Sequence, residues 1–261
     1  MRKSIIAVGA AALLLLTGCQ SAEPAATTAP TATADALSGE VIVFAAASLT
    51  GSFEELAADF EAEHPGVTVT LNFGGSSALA EQITSGAPAD VFAAASPATM
   101  QTVVDAGDAA GEPEVFVTNM LEIAVPAGNP GGVEGLTDFT DESRTIALCA
   151  PEVPCGAASE KVFAAAGLTP APDTLEQDVK AALTKVRLGE VDAALVYRTD
   201  VLAAGDEVEG IEFAEAEGAI NDYPIVRLTE SPTPDAADAF IAFVRGERGA
   251  EVLGAAGFSA P

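Results

Sequence analysis

From residue 41 onward, short apolar runs alternate with amphipathic ones. Val41-Ile42-Val43-Phe44 is a continuous apolar run with the length and β-branched content of a buried strand. Phe53, Leu56, Ala57 and Phe60 follow at i, i+3, i+4 and i+7, the spacing of one helix face, and His64-Pro65-Gly66 ends that helix. Val67, Val69, Leu71 and Phe73 then alternate with Thr68, Thr70 and Asn72, the period of a half-buried strand. Gly74-Gly75-Ser76-Ser77 leads into a second helix at about 77–85; Asp90 to Ala93 is a third strand, and 97–106 a third helix. The order βαβαβα predicts a parallel sheet covered by helices on both faces. Such sheets bind ligands where strand carboxyl ends meet helix amino ends.

The second half repeats the theme without repeating the sequence. Strands are predicted at 120–126, 145–149, 193–197 and 223–228. Helices are predicted at 156–166, ended by Gly167, at 177–188, ended by Gly189, and across 235–254. Val179, Leu183 and Val186 form the inner side of the 177–188 helix. Beyond residue 38 there is no low-complexity stretch and no long linker, so two lobes joined by crossing strands fit better than two separate beads. The crossings are expected near 120 and near 215. This gives 39–120 with 216–261 as the first lobe and 121–215 as the second, an α/β architecture of mixed, mostly parallel sheets with a ligand cleft between the lobes.

The start of the chain has a different character. Arg2 and Lys3 precede a 12-residue apolar run, Ile5 to Leu16. That is the size of a signal-peptide core and short of the ~20 residues of a membrane span. Leu16-Thr17-Gly18-Cys19 resembles a bacterial lipobox, which implies cleavage of 1–18 and lipidation of Cys19, with two acyl chains anchoring the protein to the cell membrane. An ordinary signal peptide with an incidental cysteine is the alternative. Of residues 20–38, 15 of 19 are Ala, Thr, Pro or Ser, and none is aromatic. Such a segment cannot bury a core, so 19–38 is read as a flexible tether.

Composition narrows the function. Eleven Lys and Arg face 39 Asp and Glu, a net charge of −28. That balance repels phosphate backbones and anionic lipid, so no nucleic-acid partner is expected. With one His and three Cys, a zinc site or a His-based triad is hard to assemble, and no metal-cation site is expected. Neither G-x-S-x-G nor G-x-x-x-x-G-K occurs, and the sole histidine, His64, sits in a helix-ending turn. A serine nucleophile would lack a base, so no catalytic residue is assigned.

Three segments share one design: a strand ends, a loop of small or hydroxylated residues follows, and a helix begins. They are Ala45-Ala46-Ala47-Ser48, Phe73-Gly74-Gly75-Ser76-Ser77 and Pro154-Cys155-Gly156-Ala157; the helix opening at Asp178-Val179 adds a fourth amino terminus. Each terminus offers unpaired N–H groups and roughly half a positive charge. Small side chains let an anion reach that backbone. Taken singly, Ser48, Ser76 and Asp178 are ordinary caps, and Tyr197 is an ordinary buried tyrosine. Four such termini converging on one point would form an anion site needing neither Lys nor Arg.

Phe44-Ala45-Ala46-Ala47-Ser48-Leu49-Thr50 together with Gly86-Ala87-Pro88-Ala89-Asp90-Val91-Phe92 resembles the periplasmic molybdate-binding proteins of ABC transporters. Pro151-Glu152-Val153-Pro154-Cys155-Gly156, Asp178-Val179-Lys180, Leu195 to Asp200, Tyr223-Pro224-Ile225-Val226 and Gly257-Phe258 match that family's later motifs, in order across 40–258. The resemblance implies a two-lobed, type II periplasmic-binding-protein fold that closes on a tetrahedral oxyanion through neutral donors. Ser48 and Ser76 would give hydroxyl and backbone N–H groups, Cys155 and Val179 backbone N–H groups, and Tyr197 its phenol. It implies molybdate or tungstate as ligand, no cofactor, a monomer, and a membrane permease as partner. Sulfate or another tetrahedral oxyanion is the alternative ligand.

The family usually has alanine or another small residue where Cys155 stands. Cys149 and Cys155, in an extracytoplasmic protein, are expected to pair, two free thiols being the alternative. Molybdate, tungstate and sulfate carry no proton near neutral pH, so a site for them needs donors only. Hydrogen phosphate would leave its proton unpaired there. The net negative charge acts at long range and is screened beyond about 8–10 Å at physiological salt. It is expected to slow association at low salt without abolishing affinity.

Overall fold

The computed structural model describes residues 37–261. The segment read as a signal peptide, Cys19, and all but the last two residues of the segment read as a tether lie outside the described residues.

The first sheet starts with β1 (Gly39–Ala46), whose apolar run buries Val41 and Val43 completely. A 3-10 turn at Ala47–Leu49 leads straight into α1 (Thr50–Glu63). There follow β2 (Val67–Gly74), α2 (Ser76–Thr84), β3 (Val91–Ala93), α3 (Pro97–Ala106) and β4 (Glu114–Asn119). The chain then leaves this sheet for β5 (Leu121–Pro126), β6 (Ile146–Cys149), α4 (Pro154–Ala166), β7 (Thr174–Glu176), α5 (Val179–Arg187), β8 (Ala193–Tyr197), α6 (Arg198–Ala204) and β9 (Val208–Ile211). It returns with β10 (Asn221–Arg227) and closes with α7 (Pro234–Val244) and α8 (Glu247–Ala255).

Two five-stranded sheets result, in the orders β2-β1-β3-β10-β4 and β7-β6-β8-β5-β9. In the first, β1 runs parallel to β2 and β3, while the returning β10 is antiparallel to β3 and β4. In the second, β6 is parallel to β7 and β8, and β5 is antiparallel to β8 and β9. The first sheet has a core on each face. On one face Phe53, Leu56 and Phe60 of α1 pack with Phe240 of α7. On the other, Leu79, Ile83, Met100 and Val103 cover Phe44 and Phe92. The second sheet carries its own core, with Val162 and Phe163 of α4 and Leu183 and Val186 of α5 against Ile146, Leu148 and Leu195.

The chain crosses between sheets twice, at Met120 and again just before β10. The residues flanking these crossings, Asn119 at the end of β4 and Asn221 at the start of β10, are register partners in the first sheet. Both connections therefore leave that sheet from one pair of residues. The segment before β10 packs Ala219 into the second core, and Ser259 pairs with Thr118 on β4.

The strands and helices read from periodicity are present, with ends shifted by a few residues. Four elements carried no reading: β4, β7, β9 and α6. β7 and β9 are short edge strands of three and four residues, with only Val208 fully buried between them. Gly210 interrupts the apolar pattern of β9 because a side chain there would run into Glu122. α6 follows β8 without a turn, its Asp200 carboxylate accepting the Tyr197 N–H at 3.1 Å.

Candidate functional site

The sheets are oriented so that carboxyl ends of β1, β2, β6 and β8 face each other across the gap between them. Each is followed at once by the amino end of a helix or 3-10 turn, except β6, where Ala150 to Val153 intervene. One small cavity lies there, lined by Ala46, Ala47 and Ser48 after β1, Gly74, Gly75 and Ser76 after β2, Ala95 after β3, Val153, Pro154 and Cys155 at α4, Asp178 and Val179 at α5, and Tyr197 ending β8. All five sequence-derived candidates, Ser48, Ser76, Cys155, Val179 and Tyr197, lie on its wall, and each is at most 8% exposed. The cavity gives about 20 Å³ to the centres of water-sized atoms, above the ~10–15 Å³ that admits one water. Only a compact ligand of a few atoms could fill it.

The wall is rich in unused backbone donors. The first intrahelical bond of α2 is Leu79 N–H to Gly75 C=O at 3.0 Å, and that of α4 is Ala157 N–H to Val153 C=O at 2.9 Å. The N–H groups of Ser76 and Cys155 precede those bonds and have no helical partner. At α5, Asp178 caps the helix by accepting from Ala181 N–H at 2.9 Å, which leaves the Val179 N–H ahead of the capped position. No Lys, Arg or His lines the cavity, and Asp178 is its only carboxylate.

Two glycines permit the close fit. A Cβ on Gly75 would collide with the Gln177 carbonyl of the opposite lobe, and one on Gly156 would collide with the Ala150 carbonyl at the end of β6. Side chains larger than hydrogen would hold the lobes apart at the first position and push α4 off its strand at the second. Cys149 and Cys155 form a disulfide. It ties the first turn of α4 to β6, and closing so short a loop contributes about 2 kcal/mol by the chain-entropy estimate.

Behind the wall lies a layer of polar groups not assigned from sequence. The Ser48 hydroxyl is 2.8 Å from the Tyr223 hydroxyl. Ser76 Oγ accepts the Ala95 N–H at 3.0 Å. Asn221 Nδ2 donates to the Tyr197 hydroxyl at 2.7 Å and to the Ala95 carbonyl at 2.8 Å. Asn119 Nδ2 donates to Thr199 Oγ1 at 2.9 Å and to the Tyr223 hydroxyl at 3.4 Å. Burial, then the neighbouring Tyr223 and Asp200, push the Tyr197 phenol well above its ordinary value, so it is a neutral donor at any physiological pH. Tyr223 was visible only as part of a motif. Its role, and those of the two asparagines, depend on strand pairing that no local pattern reveals.

Asp200 is fully buried beneath Tyr197. Burial raises its pKa from 3.8 to about 6, against the opposing pull of Lys180, whose ammonium is 3.4 Å away, and of the Tyr197 N–H. The lobes also touch directly through Ser77, whose hydroxyl donates to the Glu152 carbonyl at 2.6 Å. Among the described residues no group of His, Cys, Asp and Glu could hold a metal ion, and no helix is long and apolar enough to cross a membrane.

Residues 41–259 match the family model described as bacterial extracellular solute-binding protein. The chain belongs to that family. It is 39% identical, over the full length of both chains, to the molybdate-binding protein ModA of Mycobacterium tuberculosis. To the Escherichia coli protein of the same name it is 32% identical, over 85% of this chain and 89% of the other. The periplasmic molybdate-binding protein of Azotobacter vinelandii superposes with a TM-score of 0.71 at 21% identity, covering 85% of this chain and 99% of that one. The sulfate-binding protein SubI of M. tuberculosis superposes at 0.73 with 16% identity, covering 85% and 86%. These neighbours share the fold of this chain. As a solute-binding protein the chain works outside the cytoplasm and is not an enzyme.

Proposed function

We propose that this protein is the substrate-binding subunit of a molybdate importer of the ABC type, taking molybdate, and tungstate with it, into the interlobe cavity. The observation that carries the reading is the polarity of the wall: helix amino termini and three neutral hydroxyls converge on a cavity sized for a small anion, with no cation to attract phosphate esters or carboxylates indiscriminately. Ser48, Ser76 and Tyr197 donate through hydroxyls, and Ser48, Ser76, Cys155 and Val179 through backbone N–H groups. Several neutral donors in a dry cleft stabilise a dianion because the helix dipoles act undiluted by water. The resemblance to molybdate-binding relatives along the whole chain supports the choice of oxyanion. The closed form would present both lobes to a membrane permease, with a lipid on Cys19 keeping the protein at the membrane.

Thermal unfolding of the purified protein with molybdate, tungstate, sulfate and phosphate in turn tests this. Ligand at 100 times its dissociation constant stabilises by about 2.7 kcal/mol. Stabilisation by molybdate and tungstate alone is expected. Equal stabilisation by sulfate would make this a general oxyanion binder, and no shift with any of the four would overturn the reading.

A further inference from the structure

The two asparagines at the lobe crossings do not line the cavity, yet Asn221 holds its Tyr197 hydroxyl directly and Asn119 reaches its Ser48 hydroxyl through Tyr223. Asn221 Nδ2 spends both hydrogens, one on the Ala95 carbonyl and one on the Tyr197 hydroxyl. A carbonyl can only accept, so the orientation of this amide is fixed, and the Tyr197 oxygen must receive a hydrogen rather than give one. The Tyr197 proton is therefore left to point elsewhere, and Tyr197 lines the cavity. Asn119 is fixed in the same way, because its Oδ1 accepts the Met120 N–H at 3.0 Å. Its Nδ2 donates to Thr199 and Tyr223. Tyr223, having received a hydrogen, has its own free for Ser48 2.8 Å away, and in that arrangement Ser48 turns its proton to the cavity. Ser76 completes the set, since the Ala95 N–H it accepts is a fixed donor.

We propose that Asn119 and Asn221 are positioning residues that bias the proton polarity of the site: they orient the Ser48 and Tyr197 hydroxyls as donors and thereby favour oxyanions that carry no proton. This rests on the reading of the cavity as an oxyanion site. Ser76 and Tyr197 each accept from a group that can only donate, and Ser48 stands beside Tyr223, which does so too, leaving all three free to give their own hydrogens to a ligand. A proton on the ligand would then compete with these three for the same space. Both asparagines also bridge the lobes, Asn221 from Ala95 to Tyr197 and Asn119 from Tyr223 to Thr199, so the polarity is completed when the lobes meet.

Asn221→Asp tests the idea. An aspartate offers one hydrogen or none at that position instead of two. If protonated, it gives its hydrogen to the Ala95 carbonyl; in either state Tyr197 must turn and donate to it, leaving lone pairs facing the cavity. Dissociation constants for molybdate and for hydrogen phosphate, the latter by displacement where direct binding is weak, are measured by calorimetry at neutral pH for wild type, Asn221→Asp, Asn221→Leu and Asn119→Asp. Molybdate affinity should fall about 10- to 100-fold in Asn221→Asp, the size of one lost charge-assisted bond. The preference for molybdate over hydrogen phosphate should fall by a similar factor. Added charge repels both dianions alike, so the ratio isolates the proton polarity. Asn221→Leu, which leaves Tyr197 free to donate, should keep the ratio while losing less molybdate affinity. A purely structural role predicts the reverse order, because aspartate is the isosteric replacement. Asn119→Asp should move the ratio in the same direction through Tyr223 and Ser48. A ratio unchanged in both aspartate variants, or loss of both anions in both with the melting temperature retained, overturns the proposal. Failure of the wild type to bind molybdate would instead overturn the reading on which it rests.

Discussion

Gly75→Ala gives a sharp test of lobe closure. Gly75 has φ −60° and ψ 128°, which alanine adopts without strain. Nothing in its own lobe opposes a Cβ; the colliding atom is the Gln177 carbonyl across the cleft. Backbone cannot yield as a side chain can, so restoring ordinary contact means parting the lobes by about 1 Å. Overpacking of this size costs about 1–3 kcal/mol, and the cost falls on the closed form alone. Molybdate affinity should then drop by about 5- to 160-fold. The ligand-free melting temperature should hold or rise slightly, since alanine also restricts the unfolded chain by about 0.4–1 kcal/mol. Titration calorimetry and ligand-free melts on the same preparation read both quantities. Wild-type affinity in Gly75→Ala would refute the claim that ligand is held with the lobes in this contact. A matching loss of ligand-free stability would show that the collision lies within one lobe.

Other expectations follow from neighbouring groups. Tyr197→Phe removes one donor from the wall and should weaken molybdate binding about 10- to 100-fold, measured by calorimetry, with little change in fold. Asp200 holds a proton on folding, its pKa rising from 3.8 to about 6, so the folded chain binds more protons than the unfolded one across that window. Its contribution is therefore most favourable below about pH 4 and falls by about 3 kcal/mol as pH rises to 6 and beyond. Asp200→Asn, which keeps an oxygen for the Tyr197 N–H, should lack that decline in urea unfolding between about pH 4 and pH 7. Reduction of Cys149–Cys155 should lower stability by about 2 kcal/mol and weaken molybdate binding, because the Cys155 N–H loses its fixed place. A stopped-flow series should find association slowing as salt is lowered, the net charge of −28 opposing an incoming anion.

How much of this was legible in the sequence follows from what each element depends on. α1 announced itself because Phe53, Leu56, Ala57 and Phe60 must face one sheet, and the strict alternation of Val67 to Phe73 could only be a strand. Ser48, Ser76, Cys155 and Val179 were legible as cavity-lining candidates because helix termini that meet in a cleft leave a local signature of small residues between strand and helix. β4, β7 and β9 were not, because edge strands need little apolar pattern, and Gly210 breaks what there is. Asn119, Asn221 and Tyr223 were opaque for another reason. Their meaning comes from the pairing of residues 102 positions apart in the chain, Asn119 with Asn221, and a lone Asn at a strand end looks like any other turn residue. The sequence pointed to the groups that line the cavity; only the fold disclosed the groups bonded behind them.

The cavity should accept an anion without a proton and refuse one that carries it. The chain has two tyrosines and no tryptophan, and both tyrosines belong to the hydrogen-bond layer of the site. The tyrosine band of the near-ultraviolet difference spectrum therefore reports on this layer alone. Titrated at neutral pH, molybdate should produce a saturable tyrosine difference spectrum, and hydrogen phosphate should neither produce one nor reverse it at a thousandfold excess. A phosphate spectrum that saturates like that of molybdate, or full displacement of molybdate by phosphate at comparable concentration, would contradict the donor-only site.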